Sequence, residues 1–131
     1  VAVHSRGYPL ERLRALELIT RGRKTGRARR VELWFVFRDG AVYLLSGTGS
    51  RRQGTHWFRN LVADPRVVVE ARGQSWEGVA EVLQPDWVDV ITGWFREKYG
   101  PEVVRRWYEG TARIPVRVRL RNAESLTEGG D

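Results

Sequence analysis

The chain has 131 residues, 41% of them hydrophobic, with six Trp, four Tyr and four Phe, which is enough apolar material for one domain with its own core. It has no cysteine and only two histidines, His4 and His56, so disulfides, thiolate nucleophiles and Cys-based metal sites are excluded and no metal centre is expected. Its 23 Lys and Arg against 16 Asp and Glu give a net charge of +7, carried by arginine except at Lys24 and Lys98, and the arginine fork suits phosphate and carboxylate.

No apolar run approaches the roughly 20 residues that span a bilayer. The opening VAVHSRGYPLERL has no apolar core leading to a cleavage site, so a cytoplasmic protein without an integral membrane segment is expected. PLERLRAL, residues 9 to 16, reads as a short helix with apolar positions at 10, 13 and 16. LELIT then enters the basic stretch RGRKTGRARR, residues 21 to 30, whose Gly22 and Gly26 mark a tight turn. RVELWFVFR follows as one strand, closing a first hairpin. Asp39-Gly40 is a strong two-residue hairpin signal joining that strand to AVYLLSG.

GTGSRRQGT reads as a loop, and Thr55 as the cap of a helix HWFRNLVAD that puts Trp57, Asn60 and Leu61 on one face and His56 on the surface. RVVVEAR and SWEGVAEVL form a third hairpin turning at Gly73-Gln74. From Asp86 the period changes, and Trp87, Ile91, Trp94 and Phe95 form one helical stripe running to about Tyr99, stopped by Gly100-Pro101. A second helix covers Glu102 to Glu109, RIPVRVRL (113 to 120) alternates as a last strand, and the tail 122–131 is expected to be mobile. Without repeat or linker, residues 1–131 read as a single mainly β domain, a small barrel of about six antiparallel strands with three or four short helices.

The basic stretch admits three readings: a nucleic-acid patch, a cradle for one phosphate, or a solvated turn. A P-loop fails, because glycine is required where Arg23 and Leu18 stand. A dinucleotide fingerprint also fails, since Gly47 and Gly49 are followed by Arg52 where the third glycine belongs. No zinc-finger, basic-zipper or RNP-type pattern accompanies the charge, so no specific nucleic-acid partner is expected.

ITRGRKTGRARRVELWFVFRDGAVYLLSG followed by HWFRNLVADPRVVVE resembles the deazaflavin-dependent nitroreductase family, a branch of the flavin/deazaflavin oxidoreductases. The likeness runs in order over residues 18 to 70, and RIPV resembles the family's closing strand. It implies an FMN-binding-like split β-barrel and the deazaflavin coenzyme F-420, with FMN as the alternative. Carried over by position, it implies that Arg23, Lys24, Thr25 and Arg29 meet the phosphate and acidic tail, and that the loop Ser46, Gly47, Thr48, Gly49 lies against phosphate and ring. Gly47 stands where that loop usually has lysine, so Arg51 or Arg52 is the substitute cation, or the cofactor is a flavin with a shorter tail. Trp57 to Leu61 would pack beside the ring, with Asn60 bonding its polar edge and Trp34 nearby. A helical aromatic such as Trp57 is equally explained as core, whereas a half-buried amide such as Asn60 needs partners. Trp87, Trp94 and Phe95 read first as core and second as a substrate-pocket wall.

The implied reaction is hydride transfer from reduced deazaflavin to a quinone or nitroaromatic. A hydride carrier brings its own chemistry, in keeping with a chain that shows no nucleophile or acid–base constellation. Tyr99, Tyr108 or water would supply the proton. The expected partners are the cofactor and its acceptor, with peripheral membrane contact if the quinone is a lipid, and a homodimer as one assembly.

Overall fold

The computed structural model describes residues 9–48, 53–108 and 110–121. Gly49, Arg51, Arg52 and the tail 122–131, on which several expectations fell, lie outside the described residues.

After a single 3-10 turn at Leu10–Arg12 come β1 (Leu16–Arg21), β2 (Ala28–Leu33), β3 (Val36–Arg38) and β4 (Ala41–Gly47). Helix α1 (His56–Ala63), strands β5 (Arg66–Ala71) and β6 (Gln74–Val82), helices α2 (Trp87–Tyr99) and α3 (Pro101–Trp107), and β7 (Arg113–Leu120) complete the order. All seven strands form one antiparallel sheet in the order β2-β1-β5-β6-β7-β4-β3. Strands β2 and β3 occupy opposite edges although only Trp34 and Phe35 separate them in the chain, so the sheet has to curl until its edges approach.

Three local expectations change. PLERLRAL makes only the 3-10 turn, because Leu10 and Leu13 both enter the core and Leu13 is already extended, feeding β1. RVELWFVFR is two strands, which raises the count from about six to seven. At the break Phe35 is fully buried, and its amide donates to the Tyr99 hydroxyl at 3.0 Å while its carbonyl accepts from Lys98 Nζ at 2.9 Å. Thr55 occupies the helix cap position, yet its hydroxyl bonds Ser46 Oγ at 3.0 Å and makes no cap bond.

Asp39-Gly40 turns as read, with φ of 51° and 79°. The β5–β6 turn centres on Arg72-Gly73 (φ 50° and 78°), one residue earlier than read. Gly54 closes the loop after β4: its amide bonds the Thr48 carbonyl at 2.6 Å, its φ is +99°, and an added Cβ would stand 2.3 Å from the Phe58 ring.

Two cores share β4, whose residues Ala41 to Ser46 are all buried, as their unbroken apolar run requires. Inside the curl, Leu18, Val42, Leu44, Val69, Val116 and Val118 pack against Trp57, Phe58 and Leu61 of α1. On the other side Val36, Tyr43 and Leu45 meet Ile91, Phe95, Tyr99 and Val104, with Trp87 and Trp94 packed at the margin. The expected stripe on α2 is thus this second core.

Candidate active site

The β1–β2 turn is built by two backbone bonds at 2.7 Å, Gly22 N–H to Arg27 O and Gly26 N–H to Gly22 O, and the Thr25 hydroxyl accepts from the Arg27 amide. One buried residue of α1 ties it to the barrel. Asn60 Nδ2 donates to Thr20 Oγ1 at 3.1 Å, and Asn60 Oδ1 accepts both the Arg23 amide at 3.2 Å and Arg23 Nη1 at 2.7 Å. Both lone pairs of Oδ1 are therefore used within the protein, and one N–H of the amide remains. Arg23 Nη2 lies 3.4 Å from His56 Nδ1.

Between this turn and α1 lies a cavity of about 630 Å³. It gathers Arg23, Lys24, Thr25, Arg29, Trp57 and Asn60, six of the residues picked out in the sequence, and adds Thr20, Gly22, Arg30, Val31 and His56. His56, read as surface, is solvent-exposed but sits at the rim beside Arg23. Its place directly before Trp57, at the helix end facing the basic turn, was the only signal for it. Among the described residues the lining holds four cations and no carboxylate. Arg30 spends its charge on the opposite face, on Glu17 at 3.0 Å and Glu70 at 2.7 Å. Among the described residues neither Lys24 nor Arg29 has a salt-bridge partner. This donor set fits an anionic phosphate and tail, which supply the charge that the cavity lacks.

Ser46 is not in that lining. It is fully buried, its hydroxyl donating to the Gly47 carbonyl at 2.7 Å and meeting Thr55. Gly47 and Thr48 follow at the end of β4, where a Cβ on Gly47 would stand 3.8 Å from both the Thr55 methyl and Arg113 Nη1. Gly47 therefore lies between the α1 end of the first cavity and the start of β7.

Trp34 lies elsewhere, at the β2–β3 break, stacked on Tyr99 at 4.4 Å and tilted against Tyr108 at 6.3 Å. A second cavity of about 310 Å³ opens there, lined by Glu32, Leu33, Trp34, Trp107, Tyr108 and Arg113. Tyr108 belongs to it, and burial pushes its phenol upward, opposed by Arg113. The Tyr99 hydroxyl is otherwise engaged: it takes the Phe35 amide and lies 2.7 Å from the Arg14 carbonyl and 2.9 Å from that of Phe35. Burial pushes it up to about 12. These bonds make Tyr99 the clasp of the strand break and leave no proton aimed at a ligand.

Among the described residues no helix is long and apolar enough to cross a membrane, and no cluster of His, Asp and Glu could hold a metal. The fold is similar to that of several solved structures. One is the conserved hypothetical protein Rv2991 from Mycobacterium tuberculosis (24% identity over 86% of this chain and 76% of that one, TM-score 0.66). Another is a structure described as an F420-H2 dependent reductase, FDR-A (22%, 82% and 94%, TM-score 0.60). A third is HutZ, the heme storage protein from Vibrio cholerae (21%, 86% and 84%, TM-score 0.62). At such identities the split barrel alone is shared, and it serves more than one cofactor chemistry. The sequence discriminates further, because the family model described as F420H(2)-dependent quinone reductase matches residues 2–121. A split barrel, a cationic cavity without carboxylates and a family match over nearly the whole chain converge: this protein belongs to the F420H2-dependent quinone reductases and is a deazaflavin-dependent oxidoreductase.

Proposed function

We propose that the chain reduces an electron-poor ring, a quinone or a nitroaromatic, and that its two neighbouring cavities divide the task. The observation carrying this reading is the 630 Å³ cavity with four cations and no carboxylate, set beside an aromatic cavity. Lys24, Arg29 and the Arg23 guanidinium hold the phosphate and acidic tail of the deazaflavin, and the Thr25 hydroxyl, which accepts from the Arg27 amide, keeps its own proton to donate to the same anion. Bound there, the cofactor supplies the hydride. Trp57 forms an apolar wall that keeps water from the ring, and Asn60 acts through Arg23 and Thr20 by holding the turn in place. Trp34, Trp107 and Tyr108 receive the acceptor by stacking. Tyr108 keeps its proton at neutral pH, since burial raises its phenol, and can release it to the reduced acceptor. Tyr99 has no part in proton transfer in this scheme.

The test is a titration of the purified chain with the deazaflavin, followed by tryptophan fluorescence, in the wild type and in Lys24→Ala/Arg29→Ala. The double variant should bind at least tenfold more weakly, since each charge-assisted hydrogen bond contributes about 1.5–3 kcal/mol. Equal affinity in the two proteins would sink the assignment. FMN, titrated in parallel, should bind more weakly than the deazaflavin because it carries no acidic tail.

A further inference from the structure

The aromatic cavity contains one cation with no task in the scheme above. Arg113 is the first residue of β7 and pairs across the sheet with Gly47. Its guanidinium is held from three sides: Nε donates to Thr111 Oγ1 at 3.1 Å, Nη2 donates to the Trp107 carbonyl at 2.7 Å, and the group lies 4.6 Å over the Tyr108 ring. Every one of these partners is neutral. Among the described residues Arg113 forms no salt bridge, and Nη1, on the Gly47 side, has no hydrogen-bond partner. Residue 47 has no side chain, and a Cβ there would stand 3.8 Å from Nη1, in van der Waals contact with it. Glu32, the other charged group of the lining, sits on the opposite face of β2 from Leu33 and also borders a cavity containing Arg14 and Arg72.

The cationic and aromatic cavities are neighbours along two routes. Val31 lines the first and Leu33 the second, about 7 Å apart on one strand. Gly47 stands between Thr55, which leads into His56 and Trp57, and Arg113. A ring held at the first cavity would therefore lie within a short distance of an acceptor held in the second.

We infer that Arg113 is the electrostatic partner of the acceptor's oxygen, with Nη1 donating to it. This rests on the reading of the aromatic cavity as the acceptor site. A quinone that takes a hydride from the reduced deazaflavin gains two electrons and one hydrogen, the deazaflavin being oxidised by the same two electrons. The carbonyl π pair moves onto oxygen, which is negative until a proton completes the hydroquinone. A guanidinium already fixed by Thr111, Trp107 and Tyr108 stabilises that oxygen without reorganising, and so binds the charged form more tightly than the neutral one. Arg113 thereby selects acceptors whose reduction places charge on oxygen.

The test uses the 131-residue chain without cofactor and two probes, 2-hydroxy-1,4-naphthoquinone, an anion at neutral pH, and neutral 2-methyl-1,4-naphthoquinone, each titrated by tryptophan quenching. The wild type should bind the anion about tenfold or more tightly than the neutral probe. Arg113→Gln should abolish this preference while retaining the neutral probe, and Arg113→Lys should restore part of it. The preference should survive in Lys24→Ala/Arg29→Ala, which separates it from binding in the cationic cavity. A preference unchanged in Arg113→Gln, or lost in Lys24→Ala/Arg29→Ala, overturns the role of Arg113 while leaving the acceptor site standing. Failure of both probes to bind the wild type overturns the acceptor site itself. Thermal melts of each variant establish that it is folded, and the lysine variant carries the test if the glutamine variant is not.

Discussion

Two cavities of similar volume are both lined by arginine, one of about 720 Å³ on the outer face of the sheet and one of about 630 Å³ at the β1–β2 turn, and they differ in what the arginines touch. On the outer face, Arg21 and Arg66 share Asp64 at 3.5 and 3.0 Å, and Arg121 takes Glu77 at 3.0 Å. Arg119 joins Arg117 on Glu81, at 3.2 and 3.0 Å. These pairs surround an apolar floor of Ile19, Val68 and Val79. Among the described residues the cavity at the turn has no carboxylate, and its Arg23 bonds Asn60 Oδ1 and lies 3.4 Å from His56 Nδ1. Each arginine of the larger cavity thus has a carboxylate partner, whereas Lys24, Arg29 and Arg23 of the smaller one keep a charge that an anionic ligand can complete. A net charge of +7 marks the protein as basic, but the pairing decides where that charge can act.

The contrast breaks most decisively if both faces bind the deazaflavin tail. Relative to Lys24→Ala/Arg29→Ala, for which a loss of about 3 kcal/mol in cofactor affinity is expected, Arg66→Ala/Arg121→Ala on the outer face should change the affinity by less than about 0.5 kcal/mol. Parallel fluorescence titrations measure both. A similar loss from the outer pair would erase the distinction between the cavities.

The next effect concerns the tie beneath the turn. Replacing Asn60 by Ala strands the Thr20 hydroxyl in the core and removes both Arg23 bonds, and should cost about 1–3 kcal/mol in urea unfolding, with weaker cofactor binding besides. Stability equal to wild type would mean that the turn is positioned without Asn60.

Salt sharpens the comparison at smaller amplitude. Deazaflavin affinity should fall as ionic strength rises, because exposed charges are screened beyond about 8 Å at physiological salt. The slope should flatten in Lys24→Ala/Arg29→Ala and remain in the outer-face variant. An identical slope in all three proteins would remove electrostatics from the account.

The smallest effect tests the outer face by pH. Arg66, through side-chain and backbone bonds, and then Arg21 hold the Asp64 carboxyl at about 2, below its ordinary 3.8. A carboxyl depressed on folding contributes stability that is present above the ordinary value and lost as pH falls through the folded one. Thermal melts of wild type and Asp64→Asn should therefore differ slightly at pH 5 and converge toward pH 2. The difference stays small because Arg66, the main partner of Asp64, is solvent-exposed. A gap that persists at pH 2 would assign the effect to packing.

The hairpins, the last strand and the α2 stripe were legible in the sequence, because Asp39-Gly40 and the alternation in RIPVRVRL are rules acting over a few residues. The resemblance supplied Arg23, Lys24, Thr25, Arg29, Trp57 and Asn60 as a set, and one cavity holds all six. Position alone gave no sign that Ser46 is buried against Thr55 or that the Tyr99 hydroxyl is taken by the strand break. Nor did it separate Lys24 and Arg29 from Arg66 and Arg121, which are identical or similar residues whose carboxylate neighbours come from other strands.

What the sequence by itself determined is therefore most of the elements, the basic turn and the family, since each depends on residue type, local spacing or a pattern carried along the chain. Tertiary structure alone decided that Trp34-Phe35 breaks a strand and sends its halves to opposite edges of the sheet. It also decided that Asn60 holds a turn 37 residues away, and that Arg113 faces Gly47 at the aromatic cavity. The physical reason is that burial and ion pairing are settled by which side chains meet when the sheet curls, and those meetings join residues far apart in the chain.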